Sequence, residues 1–393
     1  MELYLPIIAF LLILAAFLRE DFVFTLLYLL IIAYGVGRWW SRKALQNLKV
    51  SRNYPSHTFL GDKIRVDLEI TNHSWLPVVW MYLHESLPVD LAVPNSYRQV
   101  ASMKSRERLK MSYDLLARKR GYYRIGPLML HSGDILGLSN LFQNQVEPDY
   151  LTVYPKIIPL SYVNVPSRSP MGNLRHKQPI FEDPARVLGK RDYVAGDSLR
   201  RVDWKASAAV GRMQVKQYEP SIALETSIFL NLNGSDYEQK NRLYAIELAI
   251  VVAASMANWV VGQKQSVGLV TNGNDPLGNK GRTQALPPRK GRGHLIRVLE
   301  VLARIEASEQ RSSVDMIQHA IPDLSWGTTL ILISGGADEA TFDELFNARR
   351  GGLGAMIVLC GPVPGLREIR HYAARFDFPV FHILNEQDLD IWR

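Results

Sequence analysis

The chain of 393 residues is 47% hydrophobic, enough to bury more than one core, and at ~100–200 residues per domain it divides into two or three units. Its 46 Lys and Arg against 38 Asp and Glu give a net charge of +8, which suits an anionic partner or a membrane flank and by itself separates neither. One cysteine, Cys360, excludes an intramolecular disulfide framework and any multi-cysteine metal site; it reads as a small buried residue at a strand end, in a chain compatible with a reducing compartment.

Two nearly uncharged apolar runs come first, Leu3 to Leu18 and Phe22 to Gly37, separated by Arg19-Glu20-Asp21 and closed by Arg38, Trp39 and Trp40. They predict a transmembrane helical hairpin over residues 1–47. Each run spans about 24 Å, short of a ~30 Å hydrocarbon core, so the flanking Trp and Arg side chains must reach through the interface. A cleaved signal peptide is the alternative, but no small-residue cleavage site follows the first run and its start lacks a basic region. Arg38, Arg42, Lys43 and Lys49 follow the second run. The positive-inside rule then puts both chain ends and the soluble domains on the cytoplasmic side of the cell membrane.

Residues 48–162 predict an all-β, Ig-like sandwich. From Lys63 to Thr71, Ile64, Val66, Leu68 and Ile70 alternate with Arg65, Asp67 and Glu69, the period of a half-buried strand. Leu109 to Leu115 repeats the pattern, Val78 to Glu85 is a third strand, and Gly61-Asp62, Gly121, Gly126-Pro127 and Gly133-Asp134 supply turns. His84-Glu85 lacks the second histidine of a zinc helix motif, and His57, His73 and His131 are scattered without ligand spacing. Residues 163–224 hold a linker and a charged motif. The linker, Asn164 to Lys177, has no apolar period, and its Arg168, Arg175 and Lys177 are solvated or touch acidic lipid or a partner.

Residues 225–393 alternate short apolar runs with amphipathic ones and predict a doubly wound α/β sheet. The strands are Ser227–Leu232, Ser266–Thr271, Thr328–Ile333, Ala355–Leu359 and Val380–Ile383. The helices are Asn241–Val261, His294–Ile305, Ser312–Ile321, Thr341–Arg350 and Leu366–Phe376, the first with Leu243, Ile246, Ile250, Ala253, Ala257 and Val260 on one face. Ligands of such sheets sit beyond the carboxyl ends of the strands, at Asn231 to Ser235, Thr271-Asn272-Gly273 and Ser334-Gly335-Gly336. The layout resembles a von Willebrand factor A domain, in which these turns hold a metal-ion-dependent adhesion site. Here Asn231 stands at the Asp position, Asn233 and Ser235 at the two Ser positions, and Ser334 begins a turn without a carboxylate. Neutral amides and hydroxyls bind a hard divalent ion poorly, so these are degenerate positions and no metal or cofactor is expected.

No nucleotide or hydrolase machinery is legible. Gly189-Lys190-Arg191 lacks the spacing of a Walker A loop, and there is no G-x-S-x-G elbow. Between Lys280 and Arg297 lie Lys280, Arg282, Arg289, Lys290, Arg292 and Arg297 with no acid among them, an irregular basic loop running into a helix. A solvated loop, a contact with a partner or anionic lipid, and nucleic-acid binding are the readings; the absence of interleaved aromatics disfavours the last.

The densest stretch is VLGKRDYVAGDSLRRVDWKASAAVGRMQVKQYEP, Val187 to Pro220. Asp197 is expected to cap a helix from Ser198 to Ala208 that sets Arg200, Asp203 and Trp204 on one side, with Gly211 ending it and Arg212 to Glu219 forming a strand. As a structural joint, Arg191, Asp192, Asp197, Arg200 and Asp203 neutralise one another. Catalysis by Asp197 and Asp203 would need a nucleophile, metal or phosphate cradle that the sequence does not supply.

Gly189, Arg191, Tyr193, Gly196-Asp197, Arg200, Asp203-Trp204 and Lys205-Ala206-Ser207-Ala208 resemble the signature of domain-of-unknown-function family fifty-eight. Ala209 departs from it, where Arg is common; Arg212 stands nearby. The resemblance implies two membrane helices, a β-domain and a divergent von Willebrand factor A-like domain, and a MoxR-type AAA+ ATPase as partner. The function so implied is a non-enzymatic, membrane-anchored adaptor in the assembly or remodelling of protein complexes. The alternative is an enzyme acting on an envelope precursor or phosphate ester through Arg200, Asp197 and Asp203.

Overall fold

The computed structural model describes the chain except residues 1–8, 11, 14–20, 93, 133–141, 164–181, 195, 221–224, 279–283 and 393. It divides into two compact units, Met1–Lys156 with Leu302–Arg304, and Ile157–Val301 with Ile305–Arg393. Most of the first apolar run, the Gly133-Asp134 turn and the linker arginines lie outside the described residues.

The second apolar run is helix α1 (Asp21–Gln46). It is long and apolar enough to cross a membrane, and only 6% of its most hydrophobic window is buried. Its last turn behaves differently: Ser41, Ala44 and Leu45 are buried, and Ala44 and Leu45 join a core with Leu48 of the first strand.

That core lies between two of the unit's three sheets; the third, with Ile125, Leu151 and Val153, packs in a second cluster with Ile64, Val66 and Leu115. Strands β1 (Leu48–Asn53), β2 (His57–Phe59), β3 (Lys63–Asn72), β4 (Val78–Ser86) and β5 (Ser96–Met103) are followed by β6 (Arg108–Leu116), β7 (Gly121–Ile125), β8 (Leu128–Ser132), β9 (Phe142–Val146) and β10 (Asp149–Tyr154). They pair in the orders β1-β3-β6, β5-β4-β8-β9 and β2-β10-β7. The expected alternation holds in β3, where Ile64, Val66, Leu68 and Ile70 are buried and Arg65 and Asp67 exposed. Each such side chain contributes about 1.5–3 kcal/mol by leaving water. The strands pair antiparallel except β10 and β2, which run parallel. Arg52 of β1 ties the sheets together: its Nε donates to Glu85 Oε1 of β4 at 2.6 Å and its Nη1 to Asp149 Oδ2 of β10 at 3.1 Å. Glu85 thus serves as a buried counter-charge.

In the second unit, β11 (Glu182–Asp192) and β12 (Gln214–Pro220) form an antiparallel ribbon, joined by a 3-10 turn (Leu199–Arg201) and helix α2 (Trp204–Val210). The expected helix over Ser198–Ala208 is therefore broken. Val202 bridges to Val215 in an extended conformation, and burying that pair at 7% and 1% exposure outweighs one continuous short helix. Gly211 closes α2 at φ 69°, as expected.

The larger sheet comprises β13 (Glu225–Leu230), β14 (Ser266–Thr271), β15 (Gln284–Arg289), β16 (Thr329–Ser334), β17 (Gly354–Cys360) and β18 (Val380–Ile383). Their order is β15-β14-β13-β16-β17-β18, parallel except at β15. The helices are α3 (Arg242–Gly262), α4 (Arg292–Arg304), α5 (Ser313–Ala320), α6 (Glu339–Arg350) and α7 (Leu366–Arg375). Every residue of β14, β16 and β17 is buried, as in parallel strands covered on both faces.

Two expectations fail here. Leu243 does not share the buried face of α3; it is 78% exposed, while Ala245, Ile246 and all residues from Leu248 to Ala257 are buried. The helix is buried beyond one face because residues 157–162 run against it: Ile158 N–H donates to Ser255 Oγ at 2.9 Å, and Trp259 Nε1 donates to the Ser161 carbonyl at 3.4 Å. The basic segment is not irregular throughout, since β15 contains Pro287 and Pro288. An edge strand tolerates proline because it needs only one ladder, and the register of β14 and β15 slips between Val267 and Leu269.

Candidate functional site

The charged motif builds a self-contained frame at the end of the β11–β12 ribbon. Gly196 takes φ 109°, which an L side chain adopts only with strain, and turns the chain so that Asp197 faces back toward Arg191. The guanidinium meets that carboxylate on two nitrogens, at 2.7 and 2.6 Å, and Val194 N–H adds a third bond at 3.0 Å. Arg191, with Val194, holds the Asp197 carboxyl down at about 2. Asp203 caps α2 by accepting from Ala206 N–H at 3.1 Å and pairs with Lys190 at 2.9 Å. Lys190 first, then the Ala206 amide, lowers its pKa.

The remaining contacts lock the frame. Tyr193 N–H donates to the Met213 carbonyl and Asp203 N–H to the Gln214 carbonyl, both at 2.8 Å. Ser207 Oγ accepts from Gln214 N–H at 2.8 Å, and the Gln214 side chain donates to Asp192, which also faces Arg212 at 3.5 Å. The expected mutual neutralisation holds for Arg191 and Asp197 but not for Arg200, which has no carboxylate partner among the described residues. Lys190 and Gln214 are the partners that sequence reasoning missed. What the frame leaves outside is apolar and cationic: Val194, Leu199 and Trp204 are 61%, 61% and 67% exposed, and Arg200 and Lys205 are exposed as well.

The second cluster lies where the strand order of the large sheet reverses, at the carboxyl ends of β13 and β16, the place where α/β sheets bind ligands. Asn231 is its centre. Its Nδ2 donates to Asp236 Oδ2 at 2.7 Å and to Ser334 Oγ at 2.9 Å, and its Oδ1 accepts from Asn272 Nδ2 at 2.7 Å and Asn233 N–H at 3.0 Å. Asn233 Oδ1 accepts from Ser235 Oγ at 2.9 Å, and Tyr237 O–H donates to the Asn231 carbonyl at 2.6 Å. The structure thus assembles Asn231, Asn233, Ser235 and Ser334, as the turns predicted, and adds Asn272, Asp236 and Tyr237. Asp236 stands one residue beyond the quoted turn, and nothing in its spacing marked it. Burial first, then the negative charge of Asp338, raises its pKa, while Asn231 opposes the shift. Asp338 itself caps α6 by accepting from Thr341 N–H at 2.9 Å. Chemically, the amide nitrogen of Asn231 occupies with two donors the oxygens that a cation would draw together. No group of three or more His, Cys, Asp or Glu side chains is placed to hold a metal among the described residues.

The basic segment is dispersed across elements. Arg289 ends β15, Lys290 lies in the connection, Arg292 begins α4, and Lys280 and Arg282 lie outside the described residues. Cys360 ends β17 fully buried, and that burial pushes its thiol well up.

Residues 189–331 match the family described as "Protein of unknown function DUF58". A Bacillus subtilis (strain 168) protein, "Uncharacterized protein YeaD", is 26% identical over 250 residues, which are 62% of this chain and 58% of that protein. The match thus spans little more than half the length of that relative. Among solved structures, an aerotolerance-related membrane protein from Bacteroides fragilis shares 13% identity, covers 43% of this chain and 94% of its own, and has a TM-score of 0.29. The CARDB domain of the PF1109 protein from Pyrococcus furiosus shares 15% identity over 27% of this chain and 91% of its own, with a TM-score of 0.22. Neither score relates the folds.

Proposed function

We propose, from the premise that residues 189–331 form a DUF58 segment, that the chain is a membrane-anchored adaptor whose motif surface docks a MoxR-type AAA+ ATPase on the cytoplasmic side. One observation carries the reading. Trp204 stands 67% exposed at the first turn of α2, on a frame whose three carboxylates are all engaged by the chain's own cations. An exposed tryptophan in a segment whose Leu199, Arg200 and Lys205 are also exposed has the composition of an interface hot spot, and the surplus of cations favours an acidic partner surface. Membrane anchoring rests on α1 and its exposed apolar window.

The finer fold assignments belong to the same reading. A sheet ordered 3-2-1-4-5-6 in its own strands, with an antiparallel edge and a polar cluster at the switch point, supports a divergent von Willebrand factor A-like domain. One core shared by the sheets β1-β3-β6 and β5-β4-β8-β9 supports an Ig-like sandwich. The enzymatic alternative is less well supported, because Asp197 and Asp203 are held as anions by Arg191 and Lys190 and make poor proton donors near neutral pH.

Co-purification tests the proposal. The full chain in detergent is expected to retain the cognate ATPase held in a nucleotide-bound state, and a Trp204→Ala chain to lose it. Failure of the wild-type chain to recover any AAA+ protein under those conditions would sink the idea.

A further inference from the structure

The β-domain exposes a tryptophan that neither the motif nor the sheet cluster uses. Trp75 is 67% exposed at the tip of the β3–β4 connection, yet its loop is held from within. Buried Asn72 donates through Nδ2 to the carbonyls of Leu76 at 2.9 Å and Lys104 at 3.0 Å, and Ser74 N–H donates to Asn72 Oδ1 at 2.9 Å. The Ser74 carbonyl in turn accepts from Arg106 N–H at 3.3 Å. A fixed loop therefore presents a large aromatic ring outward, with the exposed cations Lys104 and Arg106 on the neighbouring turn.

Helix α1 sets where that ring stands. It runs unbroken from its apolar stretch into the core of the β-domain, so Trp40 follows Gly37, the end of the stretch, by about 4.5 Å along the axis. Trp40 Nε1 donates to the Pro77 carbonyl at 3.0 Å, and its ring centroid lies 6.5 Å from that of Trp75. Trp75 is thereby tied to the depth of Trp40, at the boundary of the apolar run. Indole rings concentrate at this depth of a bilayer, where one edge is apolar and the other wet, and nearby Lys and Arg favour anionic headgroups.

We infer that the Trp75 loop, with Lys104 and Arg106, is a second membrane contact: it lies in the headgroup interface of an anionic bilayer and lays the β-domain against the surface. This rests on α1 spanning the membrane. The contact would turn a single helical tether into a fixed orientation of the first unit.

The test places an environment-sensitive fluorophore on single introduced cysteines in the full chain; Cys360 is fully buried and needs no replacement. Trp75→Cys and Lys104→Cys report the loop, Trp39→Cys reports α1, and Lys63→Cys reports the far end of β3, about 30 Å from Asn72. The labelled chains are reconstituted into phosphatidylcholine–phosphatidylglycerol bilayers with and without lipid carrying a nitroxide near the headgroup. Labels at 75, 104 and 39 are expected to lose emission to the nitroxide and the label at 63 to keep it, with a smaller loss at 104 when phosphatidylglycerol is omitted. Because Lys104→Cys leaves Trp75 in place, damage from removing the indole does not decide the result. Quenching at 39 with 75 and 104 behaving like 63 overturns the loop contact and leaves the span intact. No quenching at 39 overturns the span, and the loop contact with it.

Discussion

Arg191 and Asp197, six residues apart, meet through two parallel bonds of 2.7 and 2.6 Å, and that pairing closes the turn on which the motif is built. It holds the carboxyl at about 2, below its ordinary 3.8. A depressed acid contributes stability that is present above its unfolded value and is lost as pH falls through the folded one. The turn should therefore loosen between about pH 4 and pH 2. Carbon-detected titration of the Asp197 carboxyl gives the midpoint, which should return toward 3.8 in Arg191→Ala. A wild-type midpoint near 4 would contradict the pairing.

Trp204→Ala should separate binding from folding. The side chain is exposed, so thermal stability is expected to change by no more than about 0.5 kcal/mol. A hot-spot residue costs about 2 kcal/mol or more, so affinity for the proposed ATPase partner should fall about 30-fold. Calorimetry on the purified pair reads both numbers. Unchanged affinity would move the docking surface elsewhere.

Asn231 offers a test of the sheet cluster. Asn231→Ala takes the Nδ2 donor from Asp236, at a cost of about 1–3 kcal/mol for the group left unpaired, while Ser334 keeps its bonds to Gly336 and Asn272 keeps the Arg311 carbonyl. Asn231→Asp instead sets a second carboxylate against Asp236. Because the Asp236 pKa is already raised by burial, its stabilising contribution is present below 3.8 and is lost as pH rises through its folded value. The added charge pushes that loss toward higher pH. Asn231→Asp should thus be less stable near neutral pH than in acid, as measured by denaturant unfolding of the full chain; a pH-independent deficit would argue against the mutual repulsion.

In the β-domain, Arg52→Ala leaves Glu85 buried without its counter-charge and should cost about 3–5 kcal/mol. Arg52→Met with Glu85→Leu, which removes both charges, should cost much less. Amide exchange in β3 and β4 measures the difference. Equal losses from the two variants would mean that the pair holds the sheets by shape rather than by charge.

The sequence by itself determined the elements whose burial has a period. Ile64, Val66, Leu68 and Ile70 announce β3 because only one face of that strand enters the core, and the continuous apolar runs at Ser266–Thr271 and Thr328–Ile333 announce strands covered on both faces. The strand-to-loop boundaries then located Asn231 and Ser334, since polar turns must follow buried strands. Tertiary structure decided what no local pattern encodes. Ser334 hydrogen-bonds an amide 103 residues away, Lys190 rather than Arg200 answers Asp203, and residues 157–162 bury the outer side of α3. The basic segment expected to be irregular forms β15 instead, an edge strand whose Pro287 and Pro288 lie where its register with β14 slips. Trp40 and Trp75, 35 positions apart, meet only because α1 continues into the core of the β-domain. A residue's period depends on the face its own element buries, which neighbours in sequence reveal; its partner depends on which distant element covers that face, and only the folded chain brings the two together.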